Sequence, residues 1–115
     1  MSQYINVRIL KGDSELFKTI SDKKSMSYSQ LFTDFFVRVA KNPIELGAII
    51  VSRLTNSDLH QPSSDTSNMM NLYLGRDNLK KFMEISDITL LSRAALATLI
   101  IQTIIANNKD LLKDA

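Results

Sequence analysis

Two short stretches of the chain alternate strictly between apolar and polar residues: Ile5-Asn6-Val7-Arg8-Ile9 and Met70-Asn71-Leu72-Tyr73-Leu74. A period of two sends alternate side chains to opposite faces, so each stretch predicts a strand with one face buried. Ile5, Val7, Ile9, Met70, Leu72 and Leu74 form the buried set. Tyr4, Asn6, Arg8, Met69, Asn71 and Tyr73 form the opposite face. After each strand stands a breaker, Lys11-Gly12-Asp13-Ser14 or Gly75-Arg76-Asp77-Asn78, supplying residues that cap helix N-termini. An amphipathic helix of about ten residues is expected next. Its apolar face carries Leu16, Phe17 and Ile20 in one case and Leu79, Phe82, Met83 and Ile85 in the other. Ser27 and Ser92 are then placed to cap a second helix. That helix carries Leu31, Phe35 and Val39, or Leu96, Ile100 and Ile104, at spacings of four, with Phe32 and Phe36 or Leu99, Ile101 and Ile105 alongside. It is apolar over more than half its circumference, which places it at the centre of the fold.

The two series are in register. An offset of 65 aligns residues 6–42 with 71–107 without a gap, and nine of the thirty-seven pairs are identical. Among them are Asn6/Asn71, Phe17/Phe82, Ser27/Ser92 and the tripeptide Ile20-Ser21-Asp22 with Ile85-Ser86-Asp87. The punctuation recurs with the identities, so the chain reads as two copies of one unit. The first unit covers residues 1–42 and the second 69–107. Between them, Asn42-Pro43 ends one helix and starts an extra one over 43–54, with Leu46, Ile49, Ile50 and Leu54 on it. Residues 55–68 are polar and rich in breakers, which predicts a flexible linker. The tail, 108–115, is expected to fray.

Composition narrows the chemistry. There is no cysteine and one histidine, which excludes disulfides, thiol nucleophiles and multi-histidine metal sites. Three glycines leave little room for a phosphate-binding loop. His60 falls in the polar linker and reads as an ordinary exposed histidine. Asp13, Glu15 and Asp22 read as helix-start charges, and no carboxylate pair suggests acid–base work. No enzyme activity, metal or cofactor is expected. The net charge of +2 is a small surplus, and Lys23 and Lys24 read as a solvated pair. The most apolar stretch, Leu90 to Ala106, is interrupted by Ser92, Arg93 and Gln102 and is shorter than the roughly 20 residues a bilayer requires. Met1-Ser2-Gln3-Tyr4 does not read as the start of a signal peptide. A cytoplasmic protein with no membrane association is the expectation.

A strand, a short helix, a serine-capped turn and a longer apolar helix resemble the ribbon–helix–helix unit of the Arc/MetJ superfamily, and they occur here twice. The resemblance covers residues 4–42 and 69–107. It implies a mainly α fold with a short β-ribbon, an α+β architecture. Two ribbon–helix–helix units in one chain would form a pseudo-dimer, with the ribbon paired within the chain or swapped between two chains. It also implies sequence-specific binding of double-stranded DNA. A two-stranded ribbon fits the major groove, where Asn can bond adenine and Arg can bond guanine. Asn6 and Arg8 resemble the family's base-reading positions, and Tyr4, Met69, Asn71 and Tyr73 complete that face. Tyr73 and Met69 depart from the usual polar pattern. Phosphates would meet the starts of the second helices, at Ser27-Tyr28-Ser29 and Ser92-Arg93-Ala94. Lys11 and Arg76 would add further phosphate contacts.

Fused units of this kind are similar to relaxosome accessory proteins of conjugative plasmids, which bind an origin of transfer beside a relaxase. Multiple copies on repeated sites fit that role. Two other readings stay open: a transcriptional repressor of its own or a plasmid operon, and an antitoxin-type protein-interaction module. Read alone, an alternating strand with Asn and Arg outward is also an ordinary solvated sheet face. Ser27 and Ser92 are helix caps on any reading.

Overall fold

In the computed structural model, which describes residues 3–54 and 67–113, both alternating stretches are strands. The elements run β1 (Tyr4–Leu10), α1 (Lys11–Lys24), α2 (Tyr28–Ala40), α3 (Pro43–Leu54), β2 (Ser67–Tyr73), α4 (Arg76–Thr89), α5 (Arg93–Asn107) and α6 (Lys109–Leu112). The fold is therefore mostly helical with one two-stranded antiparallel sheet. β1 and β2 pair with each other within the chain, Tyr4 facing Tyr73, Asn6 facing Asn71 and Arg8 facing Met69. The six residues expected on the inner face, Ile5, Val7, Ile9, Met70, Leu72 and Leu74, are all buried. The Gln3 carbonyl closes the ribbon's end by accepting from the N–H groups of Leu74 at 3.0 Å and Gly75 at 3.3 Å. Gly75 turns the chain into α4 with φ of 84°, a backbone region that glycine enters without a Cβ clash.

Helix positions recur at the offset seen in the sequence. α1 and α4 start 65 residues apart and end 65 residues apart, and so do the starts of α2 and α5. Ser27 Oγ accepts from the Gln30 N–H and Ser92 Oγ from the Ala95 N–H, each at 3.1 Å, so both serines cap as expected. The turns before them match too. Ser25 (φ 55°) and Leu90 (φ 61°) are both left-handed. Ser21 Oγ donates to the Met26 carbonyl, and Ser86 Oγ donates to the Leu91 carbonyl at 2.6 Å.

α5 is the central helix. It packs on α1, α2, α3, α4 and β1, and Leu96, Ala97, Leu99, Ile100, Ile101 and Ile104 are buried. Burial on so many sides explains why the sequence is apolar around more than half of this helix. The two series of helices interlock through three rings. Phe82 of α4 lies 6.2 Å from Phe32 and 5.6 Å from Phe36 of α2, all three fully buried. Among the described residues no single helix is long and apolar enough to cross a membrane.

Five expectations are corrected. Lys11–Ser14 is not a breaker: α1 starts at Lys11, directly after the strand, with Leu10 at its N-cap and no side-chain cap. Asp13 works from inside the first turn instead, where a carboxylate favours the helix dipole, and it accepts a 2.9 Å bond from Gln102 Nε2. The early start makes α1 and α4 fourteen residues long rather than about ten. Leu16, expected on the apolar face of α1, is 40% exposed, because the face is centred on Phe17 and Ile20. Ser67 and Asn68, assigned to the linker, belong to β2, since Leu10 and Ile9 supply partners for them. The tail does not fray at Lys109–Leu112: it forms α6, whose Leu111 and Leu112 pack on the core and whose Leu111 carbonyl accepts from Lys23 Nζ. The extra helix over 43–54 is α3, which packs on α2 and α5. The rest of the expected linker, His60 included, lies outside the described residues.

Candidate functional site

The outer face of the ribbon carries three cross-strand pairs in a row: Tyr4–Tyr73, Asn6–Asn71 and Arg8–Met69. Tyr4, Asn6, Met69, Asn71 and Tyr73 are exposed and Arg8 is half-buried. Met69 is 55% exposed, although burial of a side chain that size is favourable. The six residues expected on one face are thus brought together on it, with a polar pair at the centre.

The aromatic end is braced. The Tyr4 and Tyr73 rings meet edge to face, with centroids 5.0 Å apart. The Tyr73 hydroxyl donates to Gln3 Oε1 at 2.8 Å. Along the strand's outer edge the Tyr73 N–H donates to Ser29 Oγ at 2.8 Å, and Thr33 Oγ1 donates to the Tyr73 carbonyl at 3.1 Å. These two bonds seat the first turn of α2 against β2. They also satisfy backbone groups that an edge strand otherwise leaves to solvent. Ser29 therefore has a structural task that spacing alone did not reveal.

The other expected contact residues flank the ribbon on helix starts. Lys11 and Arg76 are the exposed first residues of α1 and α4 rather than loop residues. Ser27, Tyr28, Ser92 and Arg93 are exposed at the starts of α2 and α5. The Tyr28 ring leans towards Phe17, with centroids 6.2 Å apart, and Ala94 packs its methyl against the core. At position 94 only the backbone N–H is left to act on a ligand. α1 and α4 carry Asp13 and Asp77 in their first turns, whereas α2 and α5 carry no acidic residue there. The positive ends of α2 and α5 are not offset by a carboxylate of their own.

Ser21 and Ser86 were missed as turn supports. Their signal was present in the recurring Ile-Ser-Asp tripeptide, which placed a small hydroxyl at the same point of both turns. Among the described residues no group of three or more His, Cys, Asp or Glu side chains gathers where a metal ion could be held. No protein-family model matches the chain, and neither curated proteins nor solved structures provide a significant match.

Proposed function

We propose that the chain is a pair of fused ribbon–helix–helix units, folded as a pseudo-dimer, that binds double-stranded DNA with its ribbon in the major groove. The observation that carries this reading is the Asn6–Asn71 pair. Each is the other's equivalent at the offset of 65, and they face each other across the ribbon. A two-fold axis relating the units must pass through such a self-equivalent pair. The exposed Asn and Arg side chains suit base edges, and a two-stranded ribbon has the width of the major groove. The starts of α2 and α5, with Lys11 and Arg76 nearby, supply donors and positive charge for phosphates on either side.

The role proposed for this binding is that of an origin-of-transfer accessory protein of a mobile plasmid, acting beside a relaxase and not as an enzyme itself. The resemblance to fused ribbon–helix–helix units supports it. The unlike halves of the ribbon also suit a site with polarity, as strand-specific nicking requires. A repressor of its own operon would use the same surface.

Selection from a pool of random duplexes tests the reading. Enrichment of a defined motif, lost with Asn6→Ala and Arg8→Ala but not with outward substitutions on α3, is the expected result. No enrichment, or binding indifferent to the ribbon face, would sink it.

A further inference from the structure

The centre of the ribbon's outer face is the same from both sides, because Asn6 faces Asn71. Its two ends are not the same. At one end Tyr4 faces Tyr73, and at the other Arg8 faces Met69. At the offset of 65, Arg8 corresponds to Tyr73 and Tyr4 to Met69, so identical repeats would have made the ends alike.

The tyrosine end offers ring edges. Tyr73 commits its hydroxyl proton to Gln3 Oε1 at 2.8 Å. Gln3 is held in turn, because its carbonyl accepts from the Leu74 and Gly75 N–H groups. The Tyr4 and Tyr73 rings meet edge to face with centroids 5.0 Å apart, a favourable arrangement for two aromatic rings. Both rings stay open to solvent, Tyr4 at 46% and Tyr73 at 44% exposed. With its proton committed, Tyr73 presents carbon to a ligand much as a phenylalanine would.

The opposite end offers donors. Arg8 is half-buried, and among the described residues no carboxylate pairs with it; the ion pair found there joins Arg38 to Glu45. Met69, its neighbour across the ribbon, has no donor and only a weakly accepting sulfur. The planar fork of guanidinium N–H groups is therefore left to an acceptor pair from outside the chain.

We infer that the ribbon reads a duplex site of fixed polarity, with A·T pairs at the centre, a guanine on the Arg8 side and a thymine on the Tyr4–Tyr73 side. Guanine presents O6 and N7 to the major groove, which match a bidentate arginine, and thymine presents a methyl group for apolar contact. Tyr4 and Arg8 are four residues apart, about 13 Å along a strand, so the two flanking bases stand a few base pairs from each other. The inference rests on the DNA-binding reading proposed above and adds the base that each end selects.

Sequencing the duplexes that each protein selects from a random pool tests it. The wild type should enrich a motif without internal two-fold symmetry, guanine on one flank and thymine on the other. Arg8→Ala should lower the guanine preference roughly tenfold or more and leave the thymine flank as it was. Tyr73→Phe keeps the ring, so the thymine preference should persist, and Tyr4→Ser with Tyr73→Ser should erase it. Met69→Tyr with Tyr73→Arg gives β2 the outer residues of β1, and its motif should become a palindrome with guanine on both flanks. If that variant does not fold, the other three decide alone. A palindromic wild-type motif, or flanks that ignore Arg8→Ala and the double serine variant, overturns the polarity and leaves DNA binding standing. Loss of the thymine preference in Tyr73→Phe overturns contact through the ring edge. A wild type that enriches no motif sinks the DNA-binding reading itself, and this inference with it.

Discussion

Asn6 and Asn71 face each other at the middle of the ribbon, and they are the same position of the two repeats. Strand register alternates between pairs that exchange backbone hydrogen bonds and pairs that do not. The Tyr73 N–H points away from β1, to Ser29. Tyr4–Tyr73 is therefore a non-bonded pair, and so is Asn6–Asn71 two residues along. In such pairs the side chains stand closest. Away from this centre the halves diverge: Arg8 corresponds to Tyr73, and Tyr4 to Met69.

On the proposed DNA-binding reading, position at the centre gives Asn6 and Asn71 equal standing. Asn6→Ala and Asn71→Ala should each cost about 1–3 kcal/mol on the selected site and far less on random duplex. Arg8→Ala should behave likewise, whereas Lys11→Ala and Arg76→Ala should weaken both DNAs alike and flatten the salt dependence. Fluorescence-anisotropy titrations on the two duplexes check this. Equal losses on both from the asparagine variants would show that they do not read bases.

The rings of Phe32, Phe36 and Phe82 tie α2 to α4, so the two halves of the chain share a core. Phe82→Ala should cost about 3–5 kcal/mol. Urea unfolding should remain a single transition, because neither half keeps an intact core of its own. Two separated transitions in the wild type would show independent units.

The strand faces were legible because a period-two pattern encodes burial directly, and every inward residue named from it is buried. The serine caps were legible because an N-cap is a local bond between a side chain and an N–H three residues on. The start of α1 was not. Gly12, Asp13 and Ser14 suit a cap as well as a first turn, and the bond from Gln102 that engages Asp13 comes from α5, far along the chain. Leu111 and Leu112 gave no periodic signal in so short a segment, and what they pack on, α1 and the core, lies far along the chain. The same holds for Ser29, whose partner is a strand edge 44 residues away in sequence.

Ser27 and Ser92 make the same bond at the same length, and neither cap is reinforced by an acidic residue in the first turn. Ser27→Ala and Ser92→Ala should each cost about 1 kcal/mol. Chemical denaturation monitored by circular dichroism measures both. A cost near zero at either position would mean that water replaces the cap without loss.

Leu90 is held left-handed, its side chain lies almost wholly in solvent, and it has no packing to lose. Leu90→Gly should therefore raise stability, by up to about 1 kcal/mol, since the left-handed region carries no Cβ penalty for glycine. Thermal melting should shift upward. A downward shift would show that the Leu90 side chain is packed in solution.

The final prediction concerns symmetry. A ribbon built from two identical chains presents the same residues on both strands and reads a near-palindrome. This chain pairs β1 with its own β2, and they present Tyr4, Asn6 and Arg8 against Met69, Asn71 and Tyr73. A single chain should therefore fill a minimal site, and it should do so in one orientation. On the proposed DNA-binding reading, Arg8 would mark one half-site and the braced Tyr73 the other. The chain has no cysteine, so one introduced thiol can carry a DNA-cleaving reagent. Glu15→Cys, on the exposed side of α1, places it near one end of the ribbon. Cleavage should fall on one side of the site's centre, and the complex should sediment with one chain per duplex. Equal cleavage on both sides, or a strict need for two chains on a perfect palindrome, would mean that the strands exchange between chains and that the asymmetric ribbon is not the form that binds.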